Sequence, residues 1–273
     1  MRVRPMGSRS RPALVALLLA AGAAACGDAA SGSQNGSITL TVLAAASLNR
    51  VFPKIASEFS RAHPGVSVQF SFAGTDALVA QIEQGSPGDV FAGASSKYGD
   101  QLFDEHLVER PQAFATNRLV LIVPPANPAG IASPRDLARS GIEVVAGAET
   151  VPVGTYTRKV LANLDGLYGP SYSTAVLSNI VSNEDNVEGV LAKVRLGEAD
   201  AGFVYVTDAK AVGEAVRALQ LPAEAQAVAT YPIAVIRSSL HRAAARQFES
   251  FVRGPAGQPL VAHAGFGLPP AAA

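Results

Sequence analysis

The sequence has few of the residues that cross-link a fold or bind a metal cation. Its 273 residues include a single cysteine, Cys26, four histidines and no tryptophan. One cysteine cannot form an intramolecular disulfide, and without a cluster of cysteines and histidines we expect no structural zinc site and no other metal cation. The fold must therefore be stabilised by burial of apolar side chains, and 48 % hydrophobic residues suffice for one large or two medium domains.

Long apolar runs are also lacking, except at the N-terminus. The apolar run 13–25 is broken only by Gly22 and follows four arginines with no acidic residue. A helix of that length rises about 20 Å, whereas a membrane span needs about 20 apolar residues. The pattern is typical of an export signal over residues 1–25, so we expect an exported protein.

The cysteine directly follows this run and is preceded by three alanines. This arrangement resembles the lipobox of bacterial lipoproteins, which implies that Cys26 carries a lipid on the outer face of the cell membrane. Alternatively, Cys26 is an ordinary residue after a conventional cleavage site, because Ala23 stands where lipoboxes usually have leucine or valine. Residues 27–37 are small, polar and rich in glycine and serine, which predicts a flexible tether over 26–37 and a folded body from Ile38.

An excess of positive charge is absent as well. Removal of residues 1–25 takes away four arginines and no acidic residue, which leaves 18 basic and 22 acidic residues. A chain of net negative charge is not expected to bind nucleic acid.

Strand and helix patterns alternate along the body. Ile38–Leu43 and Val66–Phe72 alternate apolar with small or polar residues, and Leu119–Val123 is a continuous apolar run, as in a buried strand. Three segments between or after these strands place apolar residues on one helical face: Val51, Phe52, Ile55 and Phe59; Leu78, Val79 and Ile82; Val187, Val190, Leu191 and Val194. The alternation predicts an α/β fold with largely parallel sheets.

The first strand-to-helix junction offers a hydroxyl to an anion. Residues 39–48 run from a strand through three alanines into a predicted helix, with Ser47 near its start. Unpaired N–H groups and the helix dipole make the start of a helix a natural anion site. In the alternative interpretation, Ser47 only caps the helix through its own oxygen.

The second junction, residues 72–78, repeats this design. Gly74 allows close approach of the backbone, and Thr75 supplies a hydroxyl. The next residue, Asp76, would repel a bound anion, although an acid in the first turn also favours the helix dipole. We expect the Asp76 carboxylate to point away from the site.

Two later junctions offer backbone amides, and a strand end offers a phenol. Pro152 suits a first helical turn and Gly154 would let the N–H groups be approached, so the Val153 amide becomes a donor. Val187 begins another predicted helix, so its amide would be a free donor. In the alternative interpretation, Asn186 or Asn183 before it only caps this helix. Tyr205 ends a buried strand and can donate into a cleft; alternatively it is a half-buried core tyrosine with its hydroxyl in water.

Five strings occur in one order and spacing along the body: AAASL, FAGTDALVAQIEQGSPGDVF, VPVGTY, EDNV and GEADAGFVYVTDA. Together they resemble the periplasmic molybdate-binding proteins of molybdate ABC importers. This resemblance implies an α/β, two-lobed periplasmic-binding-protein fold of type II with a ligand cleft between the lobes. Lobe 1 would comprise residues 38–115 plus about 230–273, and lobe 2 residues 116–229.

The resemblance also implies the ligand contacts: Ser47, Thr75, Val153, Val187 and Tyr205. Thr75 departs from the usual serine but keeps the hydroxyl, whereas Asp76 replaces a second serine. Molybdate is a fully deprotonated dianion near neutral pH, so a site built only of donors suits it without lysine or arginine. The implied function is delivery of molybdate, and of nearly isosteric tungstate, to an ABC permease and its ATPase by a monomer without a cofactor. The alternative ligand is sulfate or another tetrahedral oxyanion.

Two other classes of function remain to be weighed. An enzyme is not expected, because the sequence has no G-x-S-x-G turn and no H-E-x-x-H helix, and its histidines lie outside the four junctions: His63, His106, His241 and His263. The third class is a purely structural surface lipoprotein, which would show no ligand-dependent rise in melting temperature.

Overall fold

Helices and strands alternate along residues 37–269, the part of the chain that the computed structural model describes. The predicted signal peptide, Cys26 and the tether up to residue 36 lie outside it. The strands within this part are β1 (Ile38–Ala45), β2 (Val66–Ala73), β3 (Val90–Ala92), β4 (Gln112–Val123), β5 (Val144–Gly147), β6 (Ile180–Glu184), β7 (Ala201–Tyr205), β8 (Arg217–Leu219) and β9 (Val228–Val235). The α-helices are α1 (Phe52–Ala62), α2 (Thr75–Glu83), α3 (Ser96–Asp104), α4 (Pro152–Tyr168), α5 (Tyr172–Ser178), α6 (Val187–Leu196), α7 (Val206–Val212), α8 (Arg242–Arg253) and α9 (Gln258–Ala264).

The strands pair in the order β2-β1-β3-β9-β4-β7-β5-β6, with β8 added beside β4. The β1–β2, β1–β3, β5–β6 and β5–β7 pairs are parallel. The pairs that involve β4 or β9 are antiparallel. The α/β architecture is as predicted, but the expectation of a largely parallel sheet was wrong, because the two strands at the centre run against their neighbours.

Strand β4 divides the sheet into two halves. Its residues 112–118 pair with β9, and its residues 119–123 pair with β7 and β8. We call β2, β1, β3 and β9 with their helices the first half, and β7, β5, β6 and β8 with theirs the second half. The carboxyl ends of β1, β2, β5, β6 and β7 lead directly into the junctions that the sequence singled out.

The C-terminal helices pack on the first half. In α1, the fully buried Phe52, Ile55 and Phe59 share one face, as their spacing predicted. The Phe248 ring of α8 meets the Phe59 ring edge-on, with 5.2 Å between centroids. The last part of the chain therefore returns to the half in which the described chain begins. No helix within residues 37–269 has both the length and the apolar character needed to cross a membrane.

An acid-sensitive ion pair fastens α8. Arg246 donates to Glu109 at 2.6 and 3.0 Å and Arg242 donates at 2.8 Å, which together lower the pKa of Glu109 from 4.5 to about 2. A carboxyl whose pKa is lower in the folded state stabilises the fold above its unfolded pKa, and this contribution is lost as the pH falls toward the folded value.

Replacement of Glu109 by glutamine should therefore lower the free energy of unfolding at pH 7. Both guanidinium groups are about half exposed, so water screens the pair and the effect should be small. Urea unfolding of both proteins at pH 7, 5 and 3 measures it. The difference between them should shrink as the pH falls below about 4.5; a difference that stays constant with pH would contradict this role.

Candidate functional site

A small cavity lies where the two halves of the sheet meet. Its walls come from the ends of β1, β2, β3 and β7 and from the first turns of α2, α4 and α6. The lining residues are Ala45, Ala46, Ser47, Ala73, Gly74, Thr75, Ala94, Val151, Pro152, Val153, Asn186, Val187 and Tyr205. The structure thus brings all five sequence-predicted residues together around one cavity, although they are spread over nearly 160 positions of the chain.

Ser47 lies in a 3-10 turn, Ala46–Leu48, and not at the start of an α-helix as predicted. Helix α1 begins only at Phe52, where Pro53 in its first turn needs no N–H partner. The Ser47 hydroxyl caps nothing; its oxygen lies 2.9 Å from the hydroxyl oxygen of Tyr231, which is fully buried. If the phenol donates this bond, the Ser47 proton is left to point into the cavity.

Thr75 has the same arrangement with a different partner. Its Oγ1 accepts a hydrogen bond of 3.1 Å from the backbone N–H of Ala94, just beyond β3, and the residue is 1 % exposed. A hydroxyl oxygen that already accepts from an N–H group keeps its own proton for another acceptor. The Ala94 N–H therefore orients the Thr75 hydroxyl as a donor, and Tyr231 does the same for Ser47 when its phenol donates their shared hydrogen bond.

The second half contributes backbone donors. Helix α4 begins with Pro152 and Val153, and no side chain caps its first turn. In α6 the Asn186 side chain accepts from the N–H groups of Glu188 and Gly189, at 2.9 and 3.2 Å, and not from that of Val187. Asn186 is thus the cap, as one interpretation of the sequence had it. First-turn amides of both helices remain for a ligand, with the helix dipoles favouring an anion.

Gly154 has a different role from the one predicted. It does not line the cavity. A Cβ at this position would lie 2.0 Å from the carbonyl oxygen of Ala148 and 2.3 Å from that of Gly147. The glycine therefore lets the first turn of α4 pack closely against the end of β5, which sets the position of the Val153 amide.

Tyr205 is the strongest sign that the cavity receives a ligand. The residue is 1 % exposed, and its hydroxyl has no hydrogen-bond partner among residues 37–269. The interpretation of a half-buried tyrosine with its hydroxyl in water was therefore wrong. Burial, and then the nearby Tyr231, raise the pKa of Tyr205 well above its usual value, so the phenol stays protonated and able to donate. Its backbone N–H donates to Asp208 at 3.1 Å, which fixes the strand end from which it projects.

Replacement of Tyr205 by phenylalanine should separate binding from stability. An unpaired buried hydroxyl costs free energy, so without ligand the melting temperature should stay the same or rise. The affinity for the anion should fall about tenfold, the equivalent of one hydrogen bond to a charged group at the low end of its range. Calorimetric titration and thermal unfolding measure the two quantities. A loss of stability with unchanged affinity would mean that the hydroxyl is structural.

No charged side chain lines the cavity. The carboxylate of Asp76 lies outside it, and its Oδ2 accepts a 2.7 Å hydrogen bond from the Thr150 hydroxyl of the second half. Its other oxygen, Oδ1, is buried and has no hydrogen-bond partner among the described residues. Any anion in the cavity would thus be held by neutral donors and helix dipoles.

Tyr231 is the residue that sequence reasoning missed. It lies on β9, 184 positions after Ser47, and no motif marks it. The available signal was a tyrosine within the largely apolar segment 228–235, which is typical of any core tyrosine. Only its contact with Ser47 identifies its role.

Comparisons with known proteins place the chain in a family. Residues 40–267 match the family model described as bacterial extracellular solute-binding protein. The chain is 38 % identical over 262 residues to the molybdate-binding protein ModA of Mycobacterium tuberculosis (strain ATCC 25618 / H37Rv), which covers 94 % of this chain and 97 % of that protein. It is also 29 % identical over 243 residues to YvgL of Bacillus subtilis (strain 168), which is named for a proposed role as an ABC transporter substrate-binding lipoprotein. This match covers 88 % of this chain and 90 % of that protein.

Among solved structures, the periplasmic molybdate-binding protein of Azotobacter vinelandii superposes with a TM-score of 0.73. It is 25 % identical, and the match covers 84 % of this chain and 99 % of that one. The resemblance drawn from the five sequence strings is confirmed, and so is the two-lobed α/β fold of periplasmic binding proteins. The chain belongs to the bacterial extracellular solute-binding proteins.

Proposed function

We propose that this protein captures molybdate outside the cytoplasm and delivers it to an ABC permease driven by its ATPase. The observation that carries the proposal is a cavity lined by hydroxyl groups and helix-start amides, in which the buried Tyr205 hydroxyl has no hydrogen-bond partner among residues 37–269. The ligands named for the relatives in Mycobacterium tuberculosis and Azotobacter vinelandii support it.

The five predicted residues form the site in this proposal. Ser47 and Thr75 donate through hydroxyls, Val153 and Val187 through backbone amides, and Tyr205 through its phenol. Molybdenum is bound only as its oxyanion, and no metal cation or cofactor is needed. A fully deprotonated dianion accepts at every oxygen and so can use every donor of the wall, whereas a protonated phosphate would need one of the hydroxyl groups to accept instead of donate. Charge-assisted bonds of this kind contribute about 1.5–3 kcal/mol each.

The donors come from both halves of the sheet, which gives ligand-driven closure a cause. We propose lobe 1 as residues 38–115 plus about 230–273 and lobe 2 as residues 116–229, so that β4 and β9 form the connection. Only the closed form completes the donor set, and the ligand therefore shifts the population toward it. A permease can then recognise the closed form of a monomer.

The role of a carrier leaves no chemical step to the protein. Nothing in the cavity can act as a nucleophile with an adjacent base, because Tyr205 is the sole ionisable residue among those that line it. We therefore propose binding without catalysis. Turnover of phosphate or sulfate esters by the purified protein would contradict this.

Thermal unfolding in the presence of candidate anions tests the function. The mature chain with Cys26 replaced by serine is heated with molybdate, tungstate, sulfate, phosphate or chromate. Molybdate and tungstate should raise the melting temperature strongly and phosphate should not, since only ligands that bind the folded state stabilise it. A larger rise with sulfate than with molybdate would make this a sulfate carrier, and no rise with any anion would leave a structural lipoprotein.

Lipid anchoring through Cys26 is the remaining part of the proposal. The sequence before Cys26 supports it, as does the tether that follows. Replacement of Cys26 by serine should move the protein from the membrane fraction to the soluble extracytoplasmic fraction, which fractionation and immunoblotting would detect. Retention of the serine variant on the membrane would mean that another segment anchors the protein.

A further inference from the structure

The edge of the cavity between Ser47 and Val187 carries an ion pair that no ligand contact requires. Arg50 lies three residues after Ser47, and Glu188 directly follows Val187. Both nitrogens of the Arg50 guanidinium donate to the Glu188 carboxylate, Nη2 to Oε2 at 2.9 Å and Nη1 to Oε1. Neither side chain lines the cavity. The pair thus joins the first half of the fold to the second, beside two of the proposed ligand donors.

We propose that Arg50 is a positioning residue for the anion site, an inference that rests on the proposed function. Its ion pair with Glu188 holds the Val187 amide opposite Ser47 in the closed form, and it cancels the negative charge that Glu188 places next to a bound dianion. The second effect distinguishes this pair from an ordinary surface salt bridge.

Burial and geometry give the pair its strength. The Arg50 and Glu188 side chains are 35 % and 28 % exposed, so water screens them less than it screens a fully exposed pair. The planar guanidinium meets the carboxylate with two parallel bonds, which fixes orientation as well as distance. The Glu188 N–H is itself held by Asn186 at 2.9 Å, so the carboxylate is attached to a fixed helix start. The hydrogen bond that Arg50 donates to Glu188 raises the pKa of Arg50, in keeping with a stable pair.

Charge gives the pair an asymmetry that can be tested. Without Arg50, an uncompensated carboxylate remains one residue away from an amide that is proposed to bind a dianion, and it repels the ligand. Without the Glu188 charge, an uncompensated guanidinium remains and attracts the ligand. If the ion pair only held the two halves together, loss of either partner would reduce the affinity for the anion equally.

The opposite edge of the cavity has a comparable contact without a cation. Asp76, next to Thr75, accepts a hydrogen bond from the Thr150 hydroxyl. The Tyr98 hydroxyl donates to the carbonyl oxygen of Thr150, which lies three residues before Val153. Contacts between the two halves therefore flank the cavity on both edges. Only at Arg50 does such a contact include a positive charge that neutralises an acid beside the site.

The test compares molybdate affinities of Arg50→Gln, Glu188→Gln and the double variant by calorimetric titration. Arg50→Gln should weaken binding about five- to twentyfold, Glu188→Gln by less than about threefold, and the double variant should bind more tightly than Arg50→Gln alone. Raising sodium chloride from about 20 to about 500 mM should improve the affinity of Arg50→Gln relative to wild type, because salt screens the exposed repulsion. Arg246→Gln is the matched control, since it breaks an arginine–carboxylate pair far from the cavity and should leave the affinity unchanged.

The outcomes separate this inference from the proposed function. If wild type does not bind molybdate, the proposed function fails. If wild type binds and Arg50→Gln binds equally well, or Glu188→Gln is weakened as much as Arg50→Gln, the inference is wrong while the function stands. A double variant with a lower affinity for molybdate than Arg50→Gln would also overturn the inference. Thermal unfolding of each variant without ligand checks that it is folded.

Discussion

Replacement of Gly74 by alanine should reduce the affinity for molybdate by at least about a hundredfold and leave the fold intact. A Cβ at this position would lie 2.3 Å from the backbone carbonyl oxygen of Asp185, which belongs to the second half of the fold. Gly74 itself has φ −58° and ψ 143°, a conformation that alanine adopts without strain. The same Cβ would lie 2.7 Å from Oδ1 of Asp76 in its own half, but that atom ends a side chain that can turn aside. The clash with the Asp185 carbonyl arises only when the halves close, and relieving it by about 1 Å stretches several donor-to-ligand bonds beyond their useful length. Loss of two such bonds corresponds to about 3 kcal/mol, or about a hundredfold.

Calorimetric titration and thermal unfolding without ligand measure the two parts of this prediction. Gly166→Ala is the control, because Gly166 lies inside α4 and nothing would lie within 4 Å of an added Cβ. It should bind normally and be slightly more stable, since alanine favours a helix. Normal affinity in Gly74→Ala would show that the halves do not need to approach as closely as the structure has them.

Removal of either hydroxyl from the cavity wall should have the second largest effect. Ser47→Ala and Thr75→Val should each weaken molybdate binding by about 1–3 kcal/mol, roughly five- to 150-fold, because each leaves an oxygen of the anion unpaired. Each change also removes the partner of a buried group. Ser47→Ala leaves the buried Tyr231 hydroxyl without its partner, and Thr75→Val leaves the Ala94 N–H without its acceptor, so each should also lower the free energy of unfolding modestly.

Thr75→Ser is the conservative control for this pair. It keeps the oxygen that accepts from Ala94 and the proton that faces the cavity, so its affinity should remain within about threefold of wild type. Calorimetric titration of the three variants, with urea unfolding of the same proteins, would check both quantities. Wild-type affinity in both Ser47→Ala and Thr75→Val would remove these residues from the site.

The negative charge of the mature chain makes local donors essential. The sequence has 22 basic and 22 acidic residues, and the predicted removal of residues 1–25 would leave 18 and 22, so the overall charge does not attract anions. Selectivity must come from hydroxyls and amides held at fixed positions in the cavity. The contacts of Tyr231 and Ala94 show how such positions are fixed: the Ala94 N–H occupies the acceptor side of the Thr75 hydroxyl, and the Tyr231 hydroxyl holds the Ser47 oxygen at 2.9 Å.

Errors in the sequence predictions share one cause. The helix expected to begin at Ser47 begins at Phe52, and Gly154 serves helix packing instead of ligand approach. The sheet is mixed because β4 and β9 run against their neighbours. In each case a local pattern was consistent with two outcomes, and contacts with residues distant in the chain selected one.

The sequence by itself determined the alternation of strands and helices, the buried face of each helix that was predicted, and five of the thirteen residues that line the cavity. These depend on short-range patterns: apolar periodicity, glycine or proline at a turn, and motifs shared with a family. The tertiary structure alone decided that the Tyr205 hydroxyl lacks a partner among residues 37–269, that Tyr231 contacts Ser47, and that Arg50 faces Glu188 across the cavity edge. Those facts join residues up to 184 positions apart, and only the packing of the two halves brings their side chains within hydrogen-bonding distance.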